Sequence, residues 1–256
     1  MISTLLLLSG NDIPFPEARV TIHQPTLKEI AYLGEEKFFV GCGFLNFSKD
    51  LLDPSDKVRL KDYDDFDIFM SMMIRNDKET KYSADCASAV LELIFPLYTV
   101  SVRDNCILLQ HEQGIGTIDK YNYSAFKKIL VDMFQLNLGK NNNETYNPVG
   151  QMSERIAEKF RQRHQKLAKL KGGSENKKEI SILSRYVSIL AVGLQQDLNE
   201  LMQYTVCQLY DEFQRFQLKM QWDAYIQARM AGAKDLEEVD NWTIDLQDQG
   251  KNKNKK

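Results

Sequence analysis

The stretch from Asn199 to Trp242 constrains the fold of this chain more than any other part of its sequence. It contains no proline and reaches its first glycine only at Gly232. Its apolar residues recur mostly at steps of three and four, which places them along one stripe of an α-helix. Such a helix, capped by Asp197 or Asn199 and ended by Gly232, would be about 50 Å long. The stripe consists of Leu201, Met202, Thr205, Val206, Leu209, Phe213, Phe216, Met220 and Ile226.

The stripe of this predicted helix must be buried against other helices of the same chain or against another chain, a second copy included. Aromatic and methionine side chains are enriched in protein interfaces, and aromatic anchors carry much of the binding energy. We therefore expect the part of the helix with the most aromatic and methionine residues to contact a partner protein. The predicted partner-binding residues are Phe213, Phe216, Met220, Trp222 and Tyr225.

The composition is that of an ordinary globular protein, with 43% hydrophobic and 27% charged residues among 256. A formal charge of −3, from 33 basic and 36 acidic residues, favours neither nucleic acid nor an anionic membrane as the partner. Four widely separated cysteines predict reduced thiols in a cytoplasmic protein. No apolar run approaches the roughly eighteen residues that span a bilayer. The opening MISTLLLLSG lacks the basic n-region of a signal peptide, so we expect a buried β-strand there.

Patterning along the chain predicts an α+β protein that is mostly helical. Residues 1–139 are expected to form a small N-terminal domain of mixed strands and helices. Residues 140–178 read as a polar linker that contains a basic helix, and residues 179–249 as a C-terminal helical module with the long helix. The low-complexity tail 250–256 is predicted to be disordered.

Local signals place the individual elements. Residues 18–23 alternate like a strand, and after Pro25 the pair Thr26 and Glu29 forms a capping-box pattern for a short helix that Gly34 ends. Further predicted elements are helices that begin near Glu35, Asp64, Ser83, Ser124 and Ile180, a hairpin of residues 98–102 with 106–110, and a loop over residues 47–60.

No arrangement of residues in the sequence predicts catalysis, a cofactor or a metal ion. The three histidines lie in separate segments. The glycine pairs at 41–43 and 114–116 complete neither nucleotide-binding pattern. The aspartates between 62 and 67 lack the spacing and terminal glutamate of a calcium loop, which favours a solvated helix start over a metal-dependent enzyme. We therefore expect a non-enzymatic protein.

A nucleic-acid-binding protein is the alternative from another class. The segment 153–171 has a helical pattern and is strongly basic, so it would contact phosphates with a steep salt dependence. It lacks interleaved aromatic residues for base stacking, which favours a solvated or partner-docking helix instead. The candidate nucleic-acid-binding residues are Arg155, Lys159, Arg161, Arg163 and Lys166.

Two blocks of the sequence resemble proteins encoded in phage tail gene clusters. In IHQPTLKEIAYLGEEKFF a strand leads to a proline, a capped PT-x-x-EI helix and a GE-x-x-F continuation, as in phage tail and baseplate assembly proteins. DDFDIF at 64–69 is similar to the helix start that follows in such proteins, and LYDEFQRF and AGAKDLEEVDNW resemble their ending. The matching N-terminal residues are Pro25, Thr26, Glu29, Ile30, Gly34, Glu35 and Phe38.

This resemblance implies a phage morphogenesis factor of the tail-assembly-chaperone or baseplate-hub assembly type. Such a chaperone binds the apolar surface of another tail or baseplate protein in the host cytoplasm until that protein is incorporated. A structural tail or baseplate component that is retained in the virion is the alternative within the same class. The middle region, residues 121–178, has no counterpart in the resemblance.

Overall fold

A computed structural model describes residues 2–51, 54–74, 78–103, 105–112, 114–136, 181–234, 236, 239–244 and 246. The predicted linker at 140–178, with its basic helix at 153–171, and the tail at 250–256 lie outside these residues. The predictions for those segments therefore stay predictions.

The fold is mostly helical α+β, with strands and helices mixed in the N-terminal part, as the sequence predicts. In chain order the elements are α1 (Thr4–Ser9), β1 (Ile13–Phe15), β2 (Val20–Ile22), α2 (Leu27–Leu33), α3 (Glu35–Leu45), α4 (Pro54–Arg59), α5 (Asp65–Ile74), α6 (Lys78–Ile94), β3 (Thr99–Arg103), β4 (Cys106–His111), β5 (Gly114–Ile118), α7 (Tyr123–Phe134), α8 (Ile182–Leu194), α9 (Leu198–Leu201) and α10 (Val206–Met230). None of the described helices is long and apolar enough to cross a membrane.

The strands form two small antiparallel sheets. β1 and β2 make a hairpin in which Ile13 pairs with Ile22. β3, β4 and β5 make a meander, so the predicted hairpin of β3 and β4 is confirmed and gains a third strand in which Gly114 pairs with His111. The sequence pattern missed β5 because its two glycines, Gly114 and Gly116, weaken the strand signal.

Helix α7 lies at the centre of the aromatic core. Phe126 stacks with Phe15 of the first hairpin and with Phe95 after α6, each at 6.2 Å between ring centroids. Phe134 meets Phe38 of α3 edge to face at 4.9 Å. All five rings are buried. One amphipathic helix therefore joins three different parts of the fold through aromatic pairs.

A polar clamp fixes α5 and the segment after α3 to the same helix. Lys127 of α7 donates to the Asp65 carboxylate at 2.7 Å and to the Phe47 carbonyl oxygen at 3.0 Å. One turn earlier, the Tyr123 hydroxyl donates to the Leu45 carbonyl oxygen at 3.0 Å. Burial raises the pKa of Tyr123, so its hydroxyl stays a donor across the physiological range.

Helices α3 and α6 cross at a glycine. A Cβ atom added at Gly41 would lie 2.5 Å from the Cys86 carbonyl oxygen and 2.7 Å from a Val90 methyl group. Only a residue without a side chain lets the two backbones come this close. Gly43, by contrast, has nothing within 4 Å of such a Cβ atom.

The predicted strand at the N-terminus is wrong, because MISTLLLLSG contains the short helix α1. Leu7 is buried while Leu5 is exposed, and Gly10 ends the helix in the left-handed conformation with φ 70°. A run of four leucines has no periodicity that separates a helix from a strand. The left-handed glycine, which closes helices, was the available signal.

Three predicted boundaries also differ. The loop predicted over residues 47–60 contains α4, which begins at Pro54, because proline is tolerated in the first helical turn. Helix α6 begins at Lys78 rather than at Ser83. Helix α7 ends at Gln135, which adopts φ 54°, and not at Gly139.

The residues up to Gln135 and from Ile182 onward form one compact unit. A second unit, Leu136–Ser181, lies almost wholly outside the described residues. The division of the chain at 139 and 178 stays a prediction, but α8, α9 and α10 pack on the N-terminal part.

The close helix crossing is testable by adding one methyl group. Gly41→Ala should lower the free energy of unfolding by roughly 1–3 kcal/mol, because the Cβ atom meets backbone that cannot move away. Gly43→Ala in the same helix should raise it by up to about 1 kcal/mol, because alanine favours the helix and open space surrounds the site. Urea denaturation of both variants measures the difference, and equal effects would contradict the close approach.

The clamp at Asp65 predicts acid sensitivity. Burial alone would raise the pKa of Asp65, but hydrogen bonds from Lys127 and the Lys49 N–H, with the lysine charges, hold it below its usual value. A lowered pKa stabilises the fold above the unfolded-state value, and that stabilisation is lost as pH falls through the folded-state value. Asp65→Asn should therefore cost about 1 kcal/mol at neutral pH. The difference from wild type should shrink toward about pH 3, and a constant difference over that range would exclude the clamp.

Candidate partner-binding surface

The long C-terminal helix begins later than its periodicity indicates. Instead of one helix from 199 to 232, α9 ends at Leu201, and α10 starts from Thr205 as its N-cap. The Thr205 hydroxyl accepts from the Gln208 N–H at 3.3 Å, and the Gln208 side chain accepts from the Thr205 N–H at 2.7 Å. The single-helix prediction is wrong because Thr205, assigned to the apolar stripe, turns its side chain back onto the helix end.

The base of α10 is joined to the start of α2. Thr26 and Thr205 form an antiparallel bridge, and the Leu27 N–H donates to the Tyr204 carbonyl oxygen at 2.8 Å. Thr26 is itself the N-cap of α2 in the predicted capping box with Glu29, which is confirmed. Two capped helix ends thus meet side by side at this point.

The first half of α10 is core. Tyr186 of α8 stacks on Phe213 with 3.9 Å between ring centroids, and it meets Tyr210 edge to face at 5.4 Å. Phe213 is only 8% exposed. Burial raises the pKa of Tyr210 to about 12, with contributions from nearby Tyr186 and Glu35, so its hydroxyl stays neutral at physiological pH.

Phe216 of α10 packs against Gly193 near the end of α8. A Cβ atom added at Gly193 would lie 2.3 Å from the tip of the Phe216 ring, so the ring occupies the space that a side chain at this position would need. The neighbouring Val192 is 80% exposed, and Ile189 one turn earlier is also exposed. An apolar strip of α8 therefore flanks the point where α10 leaves the core.

The second half of α10 has little cover from the described part of the chain. No residue from 219 to 230 is buried. Met220 is 54% exposed and Met230 is 83% exposed. A helix turns about 100° per residue, so Met220 continues the line of Phe213 and Phe216 beyond the core. The exposed Met220 on this line, the exposed Met230 at the end of α10 and the exposed Val192 and Ile189 of α8 are together named the distal face.

Trp222 and Tyr225 lie on the other side of α10. Nine residues separate Trp222 from Phe213, which corresponds to a rotation of about 180°. The two rings contact each other at 5.8 Å, and the Arg229 guanidinium lies over Tyr225 at 5.7 Å. Both side chains are half-buried.

The segment after α10 is bound on this second side. Arg215, which lies about 20° from the direction of Trp222, donates to the carbonyl oxygens of Trp242 at 3.2 Å and Ile244 at 2.6 Å. Leu218, about 40° away in the other direction, is buried. The five residues predicted to bind a partner are therefore not on one surface. Phe213 is a core residue, Phe216 and Met220 lie on one side of α10, and Trp222 and Tyr225 lie on the opposite side.

The other candidate residues have local roles or lie outside the described part. His23 lies between Asp12 at 2.9 Å and Glu29 at 3.4 Å, beside the α2 cap. The Asp67 N–H donates to the Asp64 carboxylate at 2.8 Å at the start of α5. The nucleic-acid-binding candidates Arg155, Lys159, Arg161, Arg163 and Lys166 lie outside the described residues.

The sequence pattern missed the α8 part of the distal face. Val192 and Ile189 belong to an apolar helical run. Periodicity alone does not show which residues of such a run are covered by the rest of the protein and which are exposed. Gly193 inside a helix was the available signal, since an interior glycine costs stability and often marks a close packing contact.

One family model matches the C-terminal part of the chain. The model, described as the YomV second domain, matches residues 175–246, which is under a third of the chain. The matched range includes α8, α9 and α10 and both C-terminal blocks of the phage resemblance. The family is of a phage type, so the match suggests a phage protein. No curated protein and no solved structure matches the chain.

The division of α10 into core and distal face is testable by truncating one residue in each part. Phe213→Ala should lower the free energy of unfolding by about 3–5 kcal/mol, because it removes a ring packed on Tyr186. Met220→Ala should change it by less than about 0.5 kcal/mol, because the exposed side chain buries little apolar surface in the folded protein. Thermal or urea denaturation compares the two, and a large loss in the methionine variant would show that the distal face is covered.

Proposed function

We propose that this protein is a non-enzymatic phage morphogenesis factor that binds another tail or baseplate protein during virion assembly. The distal face of α10 is the proposed contact. In this proposal the protein acts in the host cytoplasm, where it covers apolar surface of its partner until that partner is incorporated. The phage type of the matched family and the resemblance of both sequence blocks support the class of the partner.

The observation that carries the proposal is the apolar extension of a well-anchored helix. Capping, the bridge to α2 and the stack on Tyr186 hold the first half of α10, so the second half is presented without further folding. Methionine side chains are flexible and polarisable, which suits surfaces that adapt to a partner. A helix that is already folded in this way loses little conformational entropy on binding.

The test is pairwise co-expression of the tagged protein with each tail and baseplate protein of the same phage. One such protein should be retained on the affinity resin after nuclease treatment. Met220→Glu should weaken its retention at least tenfold, because a charge on the contact must be desolvated. Gln221→Glu is the matched control, since Gln221 is exposed and points about 100° away from Met220.

Several results would redirect the proposal. Equal retention of both variants would exclude the distal face as the contact, and retention of no tail or baseplate protein would contradict the proposed function. Mass spectrometry of purified virions separates an assembly factor, which leaves, from a retained structural component. If nuclease treatment removes whatever the affinity resin retains with the protein, and if the protein binds nonspecific DNA with an affinity that falls steeply with salt, the nucleic-acid alternative is favoured.

A further inference from the structure

A cleft of about 900 Å³ lies between α5 and the three-stranded sheet. Phe66, Met70 and Ile74 of α5 line one side, and Cys106 of β4 and Thr117 of β5 line the other. Its volume is in the range of protein ligand sites, and its lining combines apolar side chains with a few polar groups, as such sites do. No residue of the distal face belongs to it.

The cleft is open to solvent and has exposed aromatic side chains in its lining. Tyr63 before α5 and Tyr121 before α7 both line it, and both are exposed, the second at 85%. Exposed tyrosine rings offer a large contact area at a small cost in side-chain entropy. Since several lining residues reach solvent, the shape suits an extended chain segment better than an enclosed small ligand.

Four carboxylates lie in or beside the cleft, together with Lys120 in the lining and with Lys49, whose ammonium donates to the carbonyl oxygens of Lys61 and Tyr63. Asp67 and Asp119 line it, and Asp62 and Asp64 adjoin Tyr63 in the chain. Within the described part of the chain, none of these four carboxylates forms an ion pair with a lysine or arginine. The lysine of the lining, Lys120, has its ammonium over the ring of Tyr121, 5.0 Å from the centroid.

We propose that this cleft binds a basic, apolar segment of a partner protein. A lysine or arginine of that segment pairs with Asp67 and Asp119, and its apolar neighbours lie against Tyr63 and Tyr121. Both carboxylates already accept backbone N–H groups, Asp67 from Asp64 and Asp119 from Tyr121, which holds them in place for a cation. The proposal goes beyond the distal face and does not depend on it.

Cys106 provides a direct readout of occupancy. It is half-exposed in the lining, while the other three cysteines of the chain, Cys42, Cys86 and Cys207, are buried. Burial also raises the pKa of Cys42, and it raises that of Cys207 to about 11, which suppresses their reaction with thiol reagents. The rate of alkylation by neutral iodoacetamide therefore reports access to the cleft.

The experiment compares two capped peptides, LKFKL and LEFEL, which differ only in the sign of their charges. On the full chain, LKFKL should slow alkylation of Cys106 in a saturable way, and LEFEL should leave it unchanged at the same concentrations. Asp67→Asn combined with Asp119→Asn should weaken the protection roughly fivefold, since exposed ion pairs contribute modestly. Asparagine keeps the backbone acceptors, so the turns are retained.

Asp85→Asn, at an exposed position of α6 outside the lining, is the matched control and should leave the protection unchanged. Met220→Glu should also leave it unchanged, which separates this site from the distal face. Equal protection by both peptides, or none by LKFKL, would overturn the proposal. Protection that survives in the double aspartate variant would overturn the assigned charge pair.

Discussion

The position of α10 depends on one short contact, the antiparallel bridge between Thr26 and Thr205. Each threonine caps its own helix, Thr26 with Glu29 and Thr205 with Gln208, so the bridge brings two satisfied helix ends together. Gln208 adds a third link, because its amide nitrogen donates to the Leu8 carbonyl oxygen at 2.8 Å. A shift of α10 along its axis would break the bridge and the bond from Gln208 to Leu8, whereas each capping box is local to its own helix and would be retained. The N-terminal and C-terminal parts are therefore joined by directional bonds as well as by apolar packing.

From this base, α10 runs from a covered half into an uncovered half. Short isolated helices are marginal in water because nucleation is costly. The capped and packed first half supplies the nucleus from which the second half extends. The same helix thus contributes to the core through Phe213 and to the proposed interface through Met220.

The cleft depends on a different element, the central helix α7. Lys127 of α7 pairs with Asp65, the first residue of α5, so the wall of the cleft that carries Phe66 and Asp67 is held by the polar clamp. The turn that carries Asp119 and Tyr121 leads directly into α7. Both sides of the cleft are therefore positioned by α7. The distal face is aliphatic and rich in methionine, whereas the cleft is aromatic and acidic, so the two surfaces would recognise different chemistry.

Local chemistry made much of this fold predictable. The Thr26–Glu29 capping box, the hairpin of β3 and β4 and the amphipathic helices α5, α7 and α8 are encoded within a few residues of each other, and the sequence alone determined them. It also contained the cap that begins α10, since Thr205 and Gln208 have the capping-box spacing, but the apolar period running through them hid it. Tertiary structure alone decided that Gly41 is a helix crossing, and which half of α10 is covered. Periodicity identifies the residues that share a stripe, whereas the residues that cover it come from distant parts of the chain.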